Sequence, residues 1–349
     1  MRDIDPRQAA LEACNTYTTA ELTTVNSAGF PVTSPVLTAF DADSGKIIFS
    51  TSIAYSAKVR NIRKNPVVIV HYYNREAIRP ELATNSTRKQ LLFQKRLLRA
   101  EATDRLRSDT FFPPRYVIRA KASIPNLGLE EATAYIARQL GSLKIQPSLR
   151  HRLRRKWWAN LYRYYLLRLV VEVEPVEVLD TVVISGKLSD PRMLRRSTKR
   201  LGLIEQRILR HAPASSVALV DPEQGPVVAE ARIQAVAPSL VCAQILHREI
   251  SIERPVSSSR HRAIVKACVS AFGQSPDLEH LYHCSALGIA EITGEQIRVH
   301  PVASFHTIRP PGVIGDLWIG VHSTLKGRRN GLITQMALSN RHRAEEPSN

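Results

Sequence analysis

Cysteine is scarce in this chain. Cys14, Cys242, Cys268 and Cys284 stand far apart, with no C-x-x-C pair. That spacing argues against a structural zinc site and a disulfide scaffold, and suits idle thiols in a reducing compartment. Long apolar runs are missing as well. No stretch reaches the ~18–20 residues that cross a bilayer as a helix. The opening MRDIDPRQAALEAC mixes acids and bases and lacks the apolar core of a secretory leader. The expectation is a cytoplasmic chain without a membrane span. Acids are also short: 31 Asp and Glu face 49 Lys and Arg, which leaves a net charge of +18.

Such an excess attracts phosphates, nucleic acid or an anionic membrane. It is equally what solvated basic helix faces produce. At 349 residues the chain is long for one core and comfortable for two domains. The reading is a first domain over 1–184 with a helical insertion at about 74–115, a linker at 185–200, and a β-rich domain over 201–349.

The first domain reads as strands at 20–26, 31–40, 46–51 and 67–73, with a helix at 54–65 that Pro66 ends. Pro31 and Pro35 place the second strand at an edge, a bulge or a barrel rim. Further strands fall at 115–124 and 165–182, where Leu167, Leu169, Val171 and Val173 alternate with Arg168, Glu172 and Glu174. Helices are expected in the middle of the insertion and at 128–140. In the second half, 215–221, 225–237, 239–245, 281–294 and 295–302 read as strands and 257–273 as a helix. The order echoes the first half, as a degenerate duplication would. Many short antiparallel strands with few helices point to a mainly β, α+β barrel architecture.

One stretch carries chemistry. In KIIFSTSIAYSAKVRNIRKNPVVIV (46–70), a strand ends in Ser50, Thr51 and Ser52 and passes into a basic helix with Lys58 in its first turn. Strand-end hydroxyls, free helix N–H groups and a lysine together can cradle a phosphate. A polar turn beside a solvated basic helix would look the same.

Order and spacing add to this. The segments GFPVTSPV (29–36), DADSGKIIFST (41–51) and KVRNIRKNPVV (58–68) follow one another in a pattern that resembles the pyridoxamine 5′-phosphate oxidase-like family of flavin-binding split barrels. The resemblance covers residues 18–73 and continues more loosely through RYVIRAKASI and YLLRLVVEVEPVEVLDTV. It implies a six-stranded split β-barrel; the C-terminal half, 201–349, has no motif match and reads either as a second, degenerate barrel that completes a pseudo-dimer or as a domain that has lost cofactor binding. It also implies a homodimer or an intramolecular pseudo-dimer with FMN, or the 8-hydroxy-5-deazaflavin coenzyme, in the cleft. On that resemblance Ser50, Thr51, Ser52 and Lys58 would hold the phosphate, and the strand from Ser34 through Val36 and Leu37 to Thr38 would pass the ring. The implied activity is hydride transfer to a small molecule. No general acid or base stands out; Tyr55, Tyr72 and Tyr73 read as packing. TSPVLTAF lacks the basic residues the oxidase proper carries there, which argues against vitamin B6 as substrate. The competing reading is a non-catalytic barrel that binds a polyanion such as nucleic acid, or a pseudoenzyme that keeps its cofactor.

Three other patterns carry weaker signals. His280, His283 and Cys284 converge only on a helix and have no acidic partner at metal-site spacing. RHRLRRKWWANLYRYY (150–165) interleaves bases with aromatics, as a nucleic-acid or membrane face does, or as an amphipathic helix packed on a barrel does. STLKGRRNG (323–331) lacks the P-loop order and reads as a turn.

Overall fold

The structure is a computed structural model. It describes residues 4–55, 57–74, 77, 115–125, 127, 157, 160–161, 168–179, 182–185, 199–212, 214–221, 225–246, 250–253, 263–274, 281–293, 295–308 and 317–328.

Helix α1 (Pro6–Thr16) starts where Asp5 accepts the Arg7 N–H at 3.1 Å and Pro6 occupies the first turn. Its buried face is small: Ala9, Ala10, Ala13 and Cys14. Six strands follow, with one helix between the third and fourth: β1 (Thr19–Val25), β2 (Pro31–Asp41), β3 (Lys46–Ser52), α2 (Ala57–Lys64), β4 (Val67–Tyr72), β5 (Tyr116–Ser123) and β6 (Arg168–Val178). They close an antiparallel barrel in the order β1-β2-β3-β6-β5-β4.

After β7 (Val182–Ser185) come α3 (Leu203–His211), β8 (Ala214–Asp221), β9 (Gly225–Ala237), β10 (Leu240–Ile245), β11 (Ile250–Glu253), β12 (Ala263–Gln274), β13 (Leu281–Thr293) and β14 (Gln296–Ile308). Helix α4 covers 317–328. The second closed barrel runs β8-β9-β10-β14-β13-β12. Matched from their first strands, the two barrels have the same order, and each is preceded by a helix, α1 or α3. The fold is a duplicated split barrel. Strand β7, which follows the first barrel, pairs in parallel with β11 of the second half.

Each barrel has its own apolar interior. Leu22, Phe49, Val70, Ile118 and Val171 fill the first, and Val217, Leu219, Val269, Ile297 and Val299 the second. A third cluster joins them: Ile69 and Val117 meet Ala218, Val228, Cys268 and Leu287. Burying each larger aliphatic side chain contributes roughly 1.5–3 kcal/mol. This contact explains why all seven residues of β1 are buried. Ala20 and Leu22 point into their own barrel, while Glu21 reaches Ser216 and Ser270 of the other and Thr23 bonds Thr33 on the neighbouring strand.

Pro35 fits its strand. β2 pairs with β1 over Pro31–Leu37 but with β3 only from Thr38 onward, so Pro35 has one neighbouring strand. Two expectations need correction. The segment 257–273 was expected as a helix, but β12 begins at Ala263 and pairs on both sides. Residues 323–328 belong to α4 rather than to a turn. The expected helices inside 74–115 and at 128–140, and most of 150–165, lie outside the described residues.

Candidate functional site

The basic turn after β3 is built from both directions. Ile47, Ile48 and Phe49 bury the strand, and its last three residues pair with β6: Ser50 with Val170, Thr51 with Leu169, Ser52 with Arg168. A short 3₁₀ turn, Ile53–Tyr55, then leads to α2. The Thr51 hydroxyl donates to the Tyr55 carbonyl at 3.2 Å, and the Ser52 hydroxyl accepts the Ala54 N–H at 3.2 Å. Both hydroxyls thus close the turn. Val59 and Ile62 seat α2 on the barrel, and the Asn61 amide donates to the Thr24 hydroxyl at 3.0 Å.

Lys58 lies in the first turn of α2, between buried and exposed. Burial, with the positive charge of Arg168 added, pulls its ammonium down to about 8. No ion pair joins it to a carboxylate among the described residues. Its charge also reaches His283 on β13 of the other barrel. Two cations therefore stand close together at the end of a hydroxyl-bearing strand, near the junction of the barrels. An anion placed here would favour the charged form of Lys58.

Of the other expected site residues, Ser52 pairs directly with Arg168, while Thr51 and Ser50 pair with Leu169 and Val170. Val36 and Thr38 are buried in the first barrel, and Ser34 and Leu37 are half-buried. Thr38 faces Phe49, two residues short of Thr51, and its buried hydroxyl has no hydrogen-bond partner among the described residues. Ser34 lies further along, opposite Leu22. His283 and Cys284 point opposite ways: His283 toward the first barrel and Cys284 into its own. The expected face division of a strand separates them.

A buried polar cluster was not anticipated. Glu21, fully buried, receives the hydroxyls of Ser216 at 2.5 Å, Ser270 at 2.6 Å and Tyr73 at 3.0 Å. Burial pushes its carboxyl up, and the three donors pull part of the way back. His283 Nε2 lies 3.0 Å from both Ser270 Oγ and Ser285 Oγ. The Ser270 proton goes to Glu21 and the Ser285 proton to the Thr33 carbonyl. The histidine must then donate from Nε2, and burial, with Lys58 second, holds it neutral with its pKa lowered to about 3. His71 stacks on Tyr73 at 4.1 Å, and burial, with Arg115 second, lowers it also to about 3. This cluster ties β1 and β4 to β8, β12 and β13. In the sequence its one signal is a lone acid inside the β-branched strand AELTTV.

Helix α4 adds a further wall that the sequence did not reveal. His322 Nδ1 meets the Tyr55 hydroxyl at 3.0 Å. The Trp318 ring stacks on His322 at 5.7 Å and 11°, and Lys326 stands 5.5 Å above the Tyr55 ring. The C-terminal helix is docked on the very turn that carries the strand-end hydroxyls.

No known family model matches this chain, and no curated protein does. Solved structures do. HutZ, a heme storage protein from Vibrio cholerae, is 14% identical, with 48% of this chain and 87% of that one covered and a TM-score of 0.26. An F420 reductase is 14% identical over 48% of this chain and 92% of its own, with a TM-score of 0.27. A heme binding protein from Mycobacterium smegmatis is 12% identical over 93% of this chain and 98% of its own, with a TM-score of 0.26. At values this low the barrel assignment rests on the strand order within this chain.

Proposed function

We propose that this chain binds a phosphorylated flavin-type coenzyme, FMN or its deazaflavin counterpart, at the β3–α2 turn, and uses it in an oxidoreduction of a small molecule. The observation that carries the reading is Lys58 beside Arg168, a lysine with no carboxylate partner among the described residues, at a strand end rich in hydroxyls. Lys58 and Arg168 would neutralise the phosphate. Thr51 and Ser52 keep the turn in shape and leave oxygen atoms near it. The coenzyme, when bound, supplies hydride transfer at its ring. The protein's part is binding, orientation and exclusion of water. The second barrel forms one side of the junction, and its own β10 ends in Ala243-Gln244-Ile245, with no strand-end hydroxyls.

The test is uptake. The purified chain, incubated with each coenzyme and desalted, is expected to carry one of them, seen in its absorption and in the supernatant after denaturation. Lys58→Ala with Thr51→Ala is expected to lose it. Retention by the double variant overturns the assignment. A second reading, a polyanion-binding barrel, draws on the net charge of +18. It predicts no uptake and a steep salt dependence of nucleic-acid binding.

A further inference from the structure

Helix α4 is oriented the wrong way for an ordinary surface helix. Gly320, Ser323 and Gly327 are its buried positions, while Trp318 is 58% exposed, Val321 45% and Leu325 65%. Small residues face inward and large apolar ones face outward. Thr324 fixes the helix by donating to the Leu161 carbonyl at 2.8 Å, and Tyr55 fixes it through His322. An exposed aromatic and aliphatic stripe held in place by specific hydrogen bonds points to a ligand surface.

Its position limits the ligand. Tyr55 is hydrogen-bonded on one side to Thr51 through its carbonyl and on the other to His322 through its hydroxyl. Helix α4 thus stands against the 3₁₀ turn that joins the hydroxyl-bearing end of β3 to α2, the helix of Lys58. We propose that α4 is the ring-binding wall of the same site: Trp318 and the apolar edge of Leu325 stack on the planar ring of the coenzyme whose phosphate Lys58 holds. Nδ1 of His322 is taken by Tyr55, which leaves Nε2 as the ring nitrogen for a polar edge of the ligand. Burial and the Lys326 charge both favour its neutral form, which can accept as well as donate. Lys326 adds a cation on the same side. This assignment rests on the coenzyme reading above, and it gives the second half of the chain a direct part in binding.

The experiment titrates the full chain with FMN, and in parallel with the deazaflavin, and follows fluorescence intensity and anisotropy. The wild type, Trp318→Leu, His322→Gln and Leu203→Ser are compared. Leu203 is 85% exposed on α3 and serves as the surface control. Aromatic stacking partners quench flavin emission. The wild type is expected to bind with quenching, Trp318→Leu to bind about tenfold more weakly and stay bright, and His322→Gln to weaken binding severalfold. The control should match the wild type. If Trp318→Leu binds and quenches like the wild type, the wall assignment falls while the coenzyme reading stands. If the wild type takes up neither coenzyme, both fall. Sedimentation with phosphatidylglycerol vesicles, or concentration-dependent self-association, that needs Trp318 and ignores the coenzyme reassigns the stripe to a bilayer or a second copy and overturns the proposal.

Discussion

Lys58 is the residue on which function and stability pull apart. Its ammonium in the folded chain has a pKa of about 8 against an ordinary value of 10.5. Below pH 8 the folded protein bears the full cost of a charge that is poorly solvated and close to Arg168. Between 8 and 10.5 the unfolded chain binds the proton and the folded one releases it, so the cost fades as pH rises. Lys58→Met is therefore expected to raise the free energy of unfolding by on the order of 1 kcal/mol at pH 7, and by little near pH 10.5, in urea titrations. A bound phosphate reverses the sign, because it favours the charged form. Burial disfavours the charge of Glu21 as well, but three hydroxyl donors converge on its carboxyl group. Glu21→Ala leaves the hydroxyls of Ser216, Ser270 and Tyr73 without their acceptor and is expected to cost roughly 2–4 kcal/mol. Glu21→Gln, which keeps an acceptor oxygen, should cost clearly less in the same denaturation assay. Lys58 was legible in the sequence because hydroxyls, helix start and base lie within one short segment. Glu21 and His322 were not, because their partners lie far away along the chain.

At the scale of single elements, strands with one wet face declared themselves. In β6, Leu169, Val171 and Val173 turn inward while Arg168, Glu172 and Glu174 are more exposed, and the alternation shows it. β12 hid itself for the opposite reason. Ala267, Val269 and Ala271 enter the second barrel, and Cys268, Ser270 and Phe272 press on the first. With both faces covered, polarity stops alternating, and its alanines mimic a helix. The bulge at Leu287–Gly288 on β13 was equally silent. A Cβ at Gly288 would collide with the His300 backbone carbonyl. Gly288→Ala is expected to force β13 and β14 apart locally and to cost roughly 1–3 kcal/mol, with faster amide exchange along that pair.

For the molecule as a whole, the duplication was visible as an order of elements and invisible as a repeat of residues. The reason is physical: a barrel demands alternation and closure, and many sequences meet both. Among the described residues the two halves differ in chemistry, since β3 ends in hydroxyls and leads into the basic α2, while β10 ends in Ala243-Gln244-Ile245. The connection between the halves has a further consequence. A site that lies between separate subunits dissolves as the protein is diluted. Here the two barrels are tethered, and a tether of modest length holds partners at an effective concentration on the order of millimolar. Coenzyme occupancy at a fixed free coenzyme level should therefore be the same at nanomolar and at micromolar protein, as an anisotropy series over protein concentration would show. Both barrels lie on one chain, and dilution cannot part them.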